Sequence, residues 1–133
     1  MLKYMLDTNI CIYVIKRKPI EVLSRFNEHS GQLAISSITL AELIHGAEKS
    51  EFVGRNIRTV EDFCSRLEVL AYGDNAAAHY GSIRSDLEKK GQVIGVNDLH
   101  IAGHARSAGL VLVSNNLNEF NRVEALRTEN WLI

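Results

Sequence analysis

The stretch MLKYMLDTNI (residues 1–10) joins a short apolar run to three consecutive polar residues. Residues 4–6 are typical of a buried strand, whereas Asp7, Thr8 and Asn9 are of the types that favour helix N-caps. Asp7 is therefore open to two interpretations. It caps a helix, or it places an ionised carboxylate at the carboxyl end of a parallel strand, where open α/β sheets bind their ligands.

Short apolar runs alternate with stretches of helical periodicity along the rest of the chain. The predicted strands are residues 3–6, 33–35, 67–70 and 110–113, with an edge strand at 124–127. The predicted helices are residues 8–16, 19–28, 36–49, a stretch from 54 to 64, 76–90, and a last helix capped by Asn97 that runs to 108. This alternation predicts an α/β fold with a central parallel sheet covered by helices on both faces.

The composition is that of an ordinary globular protein. The 133 residues suit one domain, residues 1–133, and 15 basic against 16 acidic residues give a net charge of −1. We expect no membrane span, because no apolar run is long enough, and no export signal. Cys11 and Cys64 lie in apolar surroundings without close spacing, which favours reduced, packed thiols in a cytoplasmic protein.

Three further carboxylates are candidates for chemistry. Asp98 lies in line with Ile101 and Ala102, on the stripe expected to pack against the sheet, so its charge needs a compensating cation or donor. Glu42 falls on the side opposite the apolar stripe of its helix, and spacing alone predicts a solvated face. Glu119 is equally consistent with a helix start and with a ligand.

Two histidines, His100 and His104, have the i, i+4 spacing that can bind zinc. The metalloprotease form of that motif needs glutamate directly after the first histidine, and isoleucine stands there. Phosphate-binding glycine loops and the nucleophile elbow of hydrolases are absent from the sequence. The remaining carboxylates and amides at strand ends are hard oxygen ligands, which suit Mg²⁺ or Mn²⁺.

Three stretches together resemble the PIN-domain toxins of the VapC type. They are MLDTNICIYVI (residues 5–15), ISSITLAELIHGAEKS (35–50) and NDLHIAGHARSAGLVLVSNNLNEF (97–120), in the order and at the spacing of that family. The resemblance covers essentially the whole chain. It implies a three-layer α/β/α PIN-like domain with a central parallel sheet and an acidic pocket.

The resemblance also implies roles for individual residues. Asp7, Glu42 and Asp98 match the acids that hold a divalent metal ion in this family. Thr8 and Asn9 match residues that orient the first carboxylate.

A second group of matched residues follows the last core strand. Ser114 matches a small hydroxyl residue beside the pocket. Many PIN domains carry a fourth aspartate after that strand, and here the place is taken by Asn116, with Glu119 a possible substitute.

The activity implied is Mg²⁺- or Mn²⁺-dependent endoribonuclease cleavage of RNA, plausibly transfer RNA, by a toxin that inhibits translation. The family also implies a cognate VapB-type antitoxin as partner, a homodimer, and a toxin–antitoxin hetero-oligomer, with no membrane association. The alternative that the sequence leaves open is a PIN-like module that binds RNA without cleaving it.

Overall fold

The computed structural model describes residues 1–132, in which five parallel strands form one sheet. The strands are β1 (Tyr4–Leu6), β2 (Leu33–Ser36), β3 (Glu68–Leu70), β4 (Val111–Val113) and β5 (Thr128–Glu129), in the spatial order β3-β2-β1-β4-β5. The helices are α1 (Thr8–Lys16), α2 (Ile20–Glu28), α3 (Ser37–Glu48), α4 (Val53–Cys64), α5 (Asp74–Lys89), α6 (Val96–Ala108) and α7 (Leu117–Phe120). None of these helices is long and apolar enough to cross a membrane.

Two hydrophobic cores lie on opposite faces of this sheet, because successive residues of a strand point to opposite sides. Tyr4 and Leu6 pack with α1 to α4 on one face, whereas Met5 packs with α5 and α6 on the other. All three residues of β1 are buried, as expected for a central strand covered twice. The predicted three-layer α/β/α arrangement with a parallel sheet is confirmed.

The position of β1 between β2 and β4 decides where a ligand can bind. Met5 pairs with Ala34 on one side and with Leu112 on the other. The chain moves outward from β1 to β2 and β3, and then returns to β4 on the other side of β1. Strand order therefore reverses between β1 and β4, and the crevice beyond the carboxyl ends of these strands is the usual ligand site of such sheets.

Three predicted boundaries are displaced, one of them the start of α5, which lies at Asp74 and not at residue 76. The edge strand is Thr128–Glu129 and not residues 124–127, because Ala125 has a left-handed backbone (φ 63°) that cannot continue a strand. The last long helix begins at Val96 with Gly95 as its cap, since the Leu99 N–H already donates to the Gly95 carbonyl at 2.9 Å. The expected cap, Asn97, is thus inside the first turn, and its side chain is free for another partner.

Close packing of α5 against α6 depends on one glycine. A Cβ atom on Gly103 would lie 2.9 Å from the Tyr80 backbone nitrogen and 3.1 Å from the Ala76 carbonyl oxygen. Both of these are backbone atoms, so they cannot move aside without shifting the helix. Gly103 therefore sets the distance between two helices that cover the same face of the sheet.

We expect Gly103→Ala to lower the free energy of unfolding by about 1–3 kcal/mol, because overpacking outweighs the better helix propensity of alanine. The matched control is Gly81→Ala in the exposed face of α5, where nothing lies within 4 Å of the added Cβ. That variant should be stabilised by about 0.5–1 kcal/mol. Urea unfolding of both variants measures the difference, and equal stabilisation of the two would contradict the packing argument.

Candidate active site

Asp7 both caps a helix and lies in the crevice. It is the N-cap of α1, and its Oδ1 accepts a hydrogen bond of 2.9 Å from the Ile10 N–H. Its own N–H donates to the Val113 carbonyl at 3.0 Å, which ties the residue to the end of β4. The side chain is 4% exposed. The two interpretations of the sequence are therefore compatible, since the cap engages only one of the two carboxylate oxygens.

Burial and hydrogen bonding act on the Asp7 carboxylate in opposite directions. Burial raises its pKa above the ordinary value, and the nearby charge of Glu42 adds to this. Hydrogen bonds from the Ser114 side chain and the Ile10 N–H lower the pKa in part. The Ser114 Oγ also accepts from the Asn116 N–H at 2.9 Å, so the hydroxyl proton is available to Asp7. Ser114 thus connects the end of β4 to the carboxylate that follows β1.

Glu42 joins α3 to two other elements. Its Oε1 accepts a hydrogen bond of 2.5 Å from the Thr8 hydroxyl, and its Oε2 accepts one of 3.1 Å from the Asn97 side chain. Thr8 Oγ1 also lies 3.3 Å from the Thr39 hydroxyl. Spacing alone predicts a fully solvated side chain, but Glu42 is half-buried. Three separate helices therefore fix Glu42 beside the ends of β1 and β2.

Asp98 is an acid whose pKa is strongly raised. It lies in the first turn of α6 and is half-buried. Burial raises its pKa to about 6, with further contributions from the charges of Glu119, Asp7 and Glu42 and from a hydrogen bond shared with Glu119. The pKa of Asp98 therefore depends on the charges of three other carboxylates, each of which lies on a different segment of the chain.

The other predicted residues take different positions. Asn9 is exposed on the first turn of α1, and the groups that contact the Asp7 carboxylate are Ile10 and Ser114. Thr8 contacts Glu42 and not Asp7. Asn116 is half-buried as the N-cap residue of α7 and directs its backbone N–H to Ser114.

Sequence reasoning missed the contribution of Asn97. Its amide holds Glu42 across 55 positions of the chain, and no periodicity within one helix carries information about such a contact. One signal in the sequence was available. Asn97 follows Gly95 closely, and a helix capped by Gly95 would place Asn97 in its first turn, with its side chain free to contact another element.

The donor chemistry of these residues fits a hard divalent cation. Carboxylate, hydroxyl and amide oxygens are the ligands that Mg²⁺ and Mn²⁺ favour. Mutual repulsion among the carboxylates, visible in the raised pKa of Asp98, is what a cation would relieve. Within residues 1–132, however, no three histidine, cysteine, aspartate or glutamate side chains are gathered as a ready-made metal cluster. In the described structure, Asp7 accepts a hydrogen bond from the Ile10 N–H, and Glu42 accepts hydrogen bonds from Thr8 and Asn97.

The two histidines of α6 contact different partners. His100 Nδ1 lies 2.8 Å from the Tyr72 hydroxyl, and its ring stacks on Tyr80 at 4.2 Å between centroids. His104 is buried with its Nδ1 2.8 Å from the Ser36 hydroxyl. Both rings are therefore engaged in packing between α6 and neighbouring elements.

Comparison with known proteins identifies the family of this chain. The profile of the PIN domain family matches residues 4–126. Ribonuclease VapC2 of Haemophilus influenzae is 65% identical over 132 residues, which cover 99% of this chain and 100% of the relative. The tRNA(fMet)-specific endonuclease VapC of Shigella flexneri is 56% identical over 131 residues, 98% of this chain and 99% of the relative.

A solved structure gives the same result for the fold. The crystal structure of DNA-bound VapBC from Salmonella typhimurium contains a chain with a TM-score of 0.94 and 56% identity, over 98% of this chain and 99% of that one. Fold, sequence profile and relatives of high identity over the full length point to one conclusion. The chain belongs to the PIN-domain family, among its VapC-type toxin ribonucleases.

Proposed function

We propose that this protein is a metal-dependent endoribonuclease that cleaves transfer RNA in the cytoplasm and thereby inhibits translation. The observation that supports the proposal is that Asp98 responds to the charges of three other carboxylates, those of Asp7, Glu42 and Glu119. Burial is the largest cause of the raised pKa of Asp98, and the charges of Glu119, Asp7 and Glu42 raise it further. Perturbed carboxylates in a crevice are a common property of catalytic sites.

Asp7, Glu42 and Asp98 would hold Mg²⁺ or Mn²⁺, with Glu119 as a fourth acid. When bound, such an ion supplies polarisation of the scissile phosphodiester and a lower pKa for the attacking water. The chain's own groups prepare the site for it. Thr8 and Asn97 fix both oxygens of Glu42, so that this side chain does not have to be ordered when a cation arrives.

Hydrogen bonding also keeps charge available in the crevice. The Ile10 N–H and the Ser114 hydroxyl favour the ionised form of Asp7 against the effect of burial.

Asp98, with a pKa of about 6 and a hydrogen bond to Glu119, retains a proton at mildly acidic pH. That proton has to leave before Asp98 can serve as a ligand, so the affinity for Mg²⁺ or Mn²⁺ should weaken as the pH falls below about 6.

The substrate and partner are proposed from the relatives. The Shigella flexneri relative is named for cleavage of tRNA(fMet), which supports transfer RNA as the substrate here. Related chains were solved as VapBC complexes, which supports a VapB-type antitoxin as the partner of this chain. An acidic pocket without a bound cation attracts a basic side chain, and an antitoxin arginine inserted there would block the site.

The first test is the pair Asp7→Asn and Asp98→Asn. We expect each to lower the cleavage rate of purified tRNA at saturating Mg²⁺ at least about 100-fold, the size of effect typical of removing one charged group from a preorganised site. The fold should survive, because asparagine is also a good N-cap at position 7 and carries no charge to bury.

The matched control is Asp74→Asn. This residue also lies in the first turn of a helix, but it is exposed on α5. It should cleave at the wild-type rate. A fully active Asp98→Asn variant would refute the site, whereas tRNA binding without any cleavage by the wild type would favour the non-cleaving RNA-binding module.

The second test concerns the place of the fourth acid. Glu119→Gln should weaken Mn²⁺ binding about 10-fold, because a carboxylate that faces Asp98 is lost. Asn116→Asp should tighten it, since a charge is added beside Ser114. Calorimetry on the RNA-free protein measures both changes.

Glu21→Gln, which removes an exposed acid from the first turn of α2, is the control and should leave Mn²⁺ affinity unchanged. Equal affinity of Glu119→Gln and the wild type would show that Glu119 does not contribute to the site.

A further inference from the structure

Four arginines surround a second cleft, away from the acidic crevice. Arg17, Arg55, Arg58 and Arg66 line a cavity of about 410 Å³ between the end of α1 and α4, which we call the arginine cleft. All four are exposed. Asp62 is the acid that lines the same cavity. In a chain of net charge −1, this is a strong local excess of positive charge.

Two of these arginines stand at helix positions that disfavour arginine. Arg17 occupies the C-cap of α1 with a left-handed backbone (φ 60°), a position that favours glycine or asparagine. Arg55 lies in the first turn of α4, where the helix dipole disfavours a cation. Both residues are therefore present at some cost in stability, which points to a use for their side chains.

The guanidinium groups differ in how far they are already engaged. Arg66 forms an ion pair of 3.0 Å with Asp62, and Arg55 lies over the Phe52 ring at 4.4 Å. Arg17 and Arg58 form no ion pair or side-chain hydrogen bond with any residue between 1 and 132. These two have donors free for an external anion, and arginine binds phosphate with two parallel hydrogen bonds.

The arginine cleft lies next to a cavity that is lined by Glu42. Helix α1 begins at Thr8 beside Glu42 and ends at Lys16, a length of about 14 Å at the usual rise per residue. A second cavity, lined by Glu42 and Lys16, shares Ile15 and Thr59 with the arginine cleft. An extended ligand on these two adjoining cavities would pass from Glu42 to the arginines.

We propose that the arginine cleft binds backbone phosphates of the RNA substrate on one side of the cleavage point, an inference that rests on the proposed function. The carboxylates of the crevice repel a polyanion, so productive binding requires positive charge elsewhere on the same surface. The free guanidinium groups of Arg17 and Arg58 provide it at a distance that leaves the crevice to the scissile bond.

The test measures binding separately from cleavage. An Asp7→Asn parent keeps the RNA intact, and Arg17→Gln/Arg58→Gln is introduced into it. The probe is a transcript of tRNA(fMet), with Kd determined at several salt concentrations. The double variant should raise Kd roughly 10-fold and reduce the slope of log Kd against log salt by about 1.4–1.8, the contribution of two phosphate contacts.

Two further variants separate this role from general charge and from folding. Lys3→Gln/Lys89→Gln removes two exposed positive charges away from the cleft and should leave the slope close to that of the parent. Arg17→Lys/Arg58→Lys retains the charge and should recover most of the slope. Thermal unfolding should be similar for all variants, because the substituted side chains are exposed.

An unchanged slope in the double glutamine variant would overturn the proposal. It would also be overturned if that variant bound tRNA like the parent but lost affinity for a co-expressed antitoxin, because the cleft would then serve a protein. Failure of the wild type to cleave tRNA would remove the proposed activity, while the slope would still report whether the arginines contact RNA.

Discussion

A buried carboxylate at the end of the central strand is the constraint on which the rest of this structure depends. Asp7 is 4% exposed, caps α1 through Ile10, and hydrogen bonds to the end of β4 through its own N–H and through Ser114. An isolated buried charge is costly, so the surrounding backbone and side chains have to supply donors. Those donors also fix where α1 starts and how β1 meets β4.

The same constraint explains the arrangement of the other acids. Glu42, Asp98 and Glu119 lie on α3, α6 and α7. The charge of Glu42 raises the pKa of Asp7, and the charges of Glu119, Asp7 and Glu42 add to burial in raising the pKa of Asp98. Such repulsion opposes folding, and a protein selected for stability alone has no need of it. Hydrogen bonds from Thr8 and Asn97 hold Glu42 against that repulsion. The carboxylates of the crevice therefore repel one another, while hydrogen bonds hold Asp7 and Glu42 in fixed positions.

The sequence allowed the sheet to be predicted because its strands are short apolar runs buried on both faces. Asp7 and Asp98 could be proposed from the sequence for a similar reason. Asp7 directly follows an apolar strand, and Asp98 lies in the first turn of a helix with an apolar stripe. Glu42 was not accessible from spacing, because its partners lie 34 and 55 positions away and only tertiary contacts bring it inward. Resemblance to the family identified it instead. The edge strand and the Asn97 cap were misplaced by a few residues, where backbone conformation at Ala125 and Gly95 decided the outcome.

The carboxylates of the crevice act on one another although they lie on four separate segments of the chain. The most direct measurement is a ¹³C NMR titration of the aspartate and glutamate carboxyl groups in protein freed of metal by chelation. We expect Asp98 to titrate with a pKa of about 6 in the wild type. In Glu119→Gln the pKa should move toward the ordinary value of 3.8, because a neighbouring charge is lost. An Asp98 pKa near 3.8 in both proteins would contradict the convergence of the carboxylates.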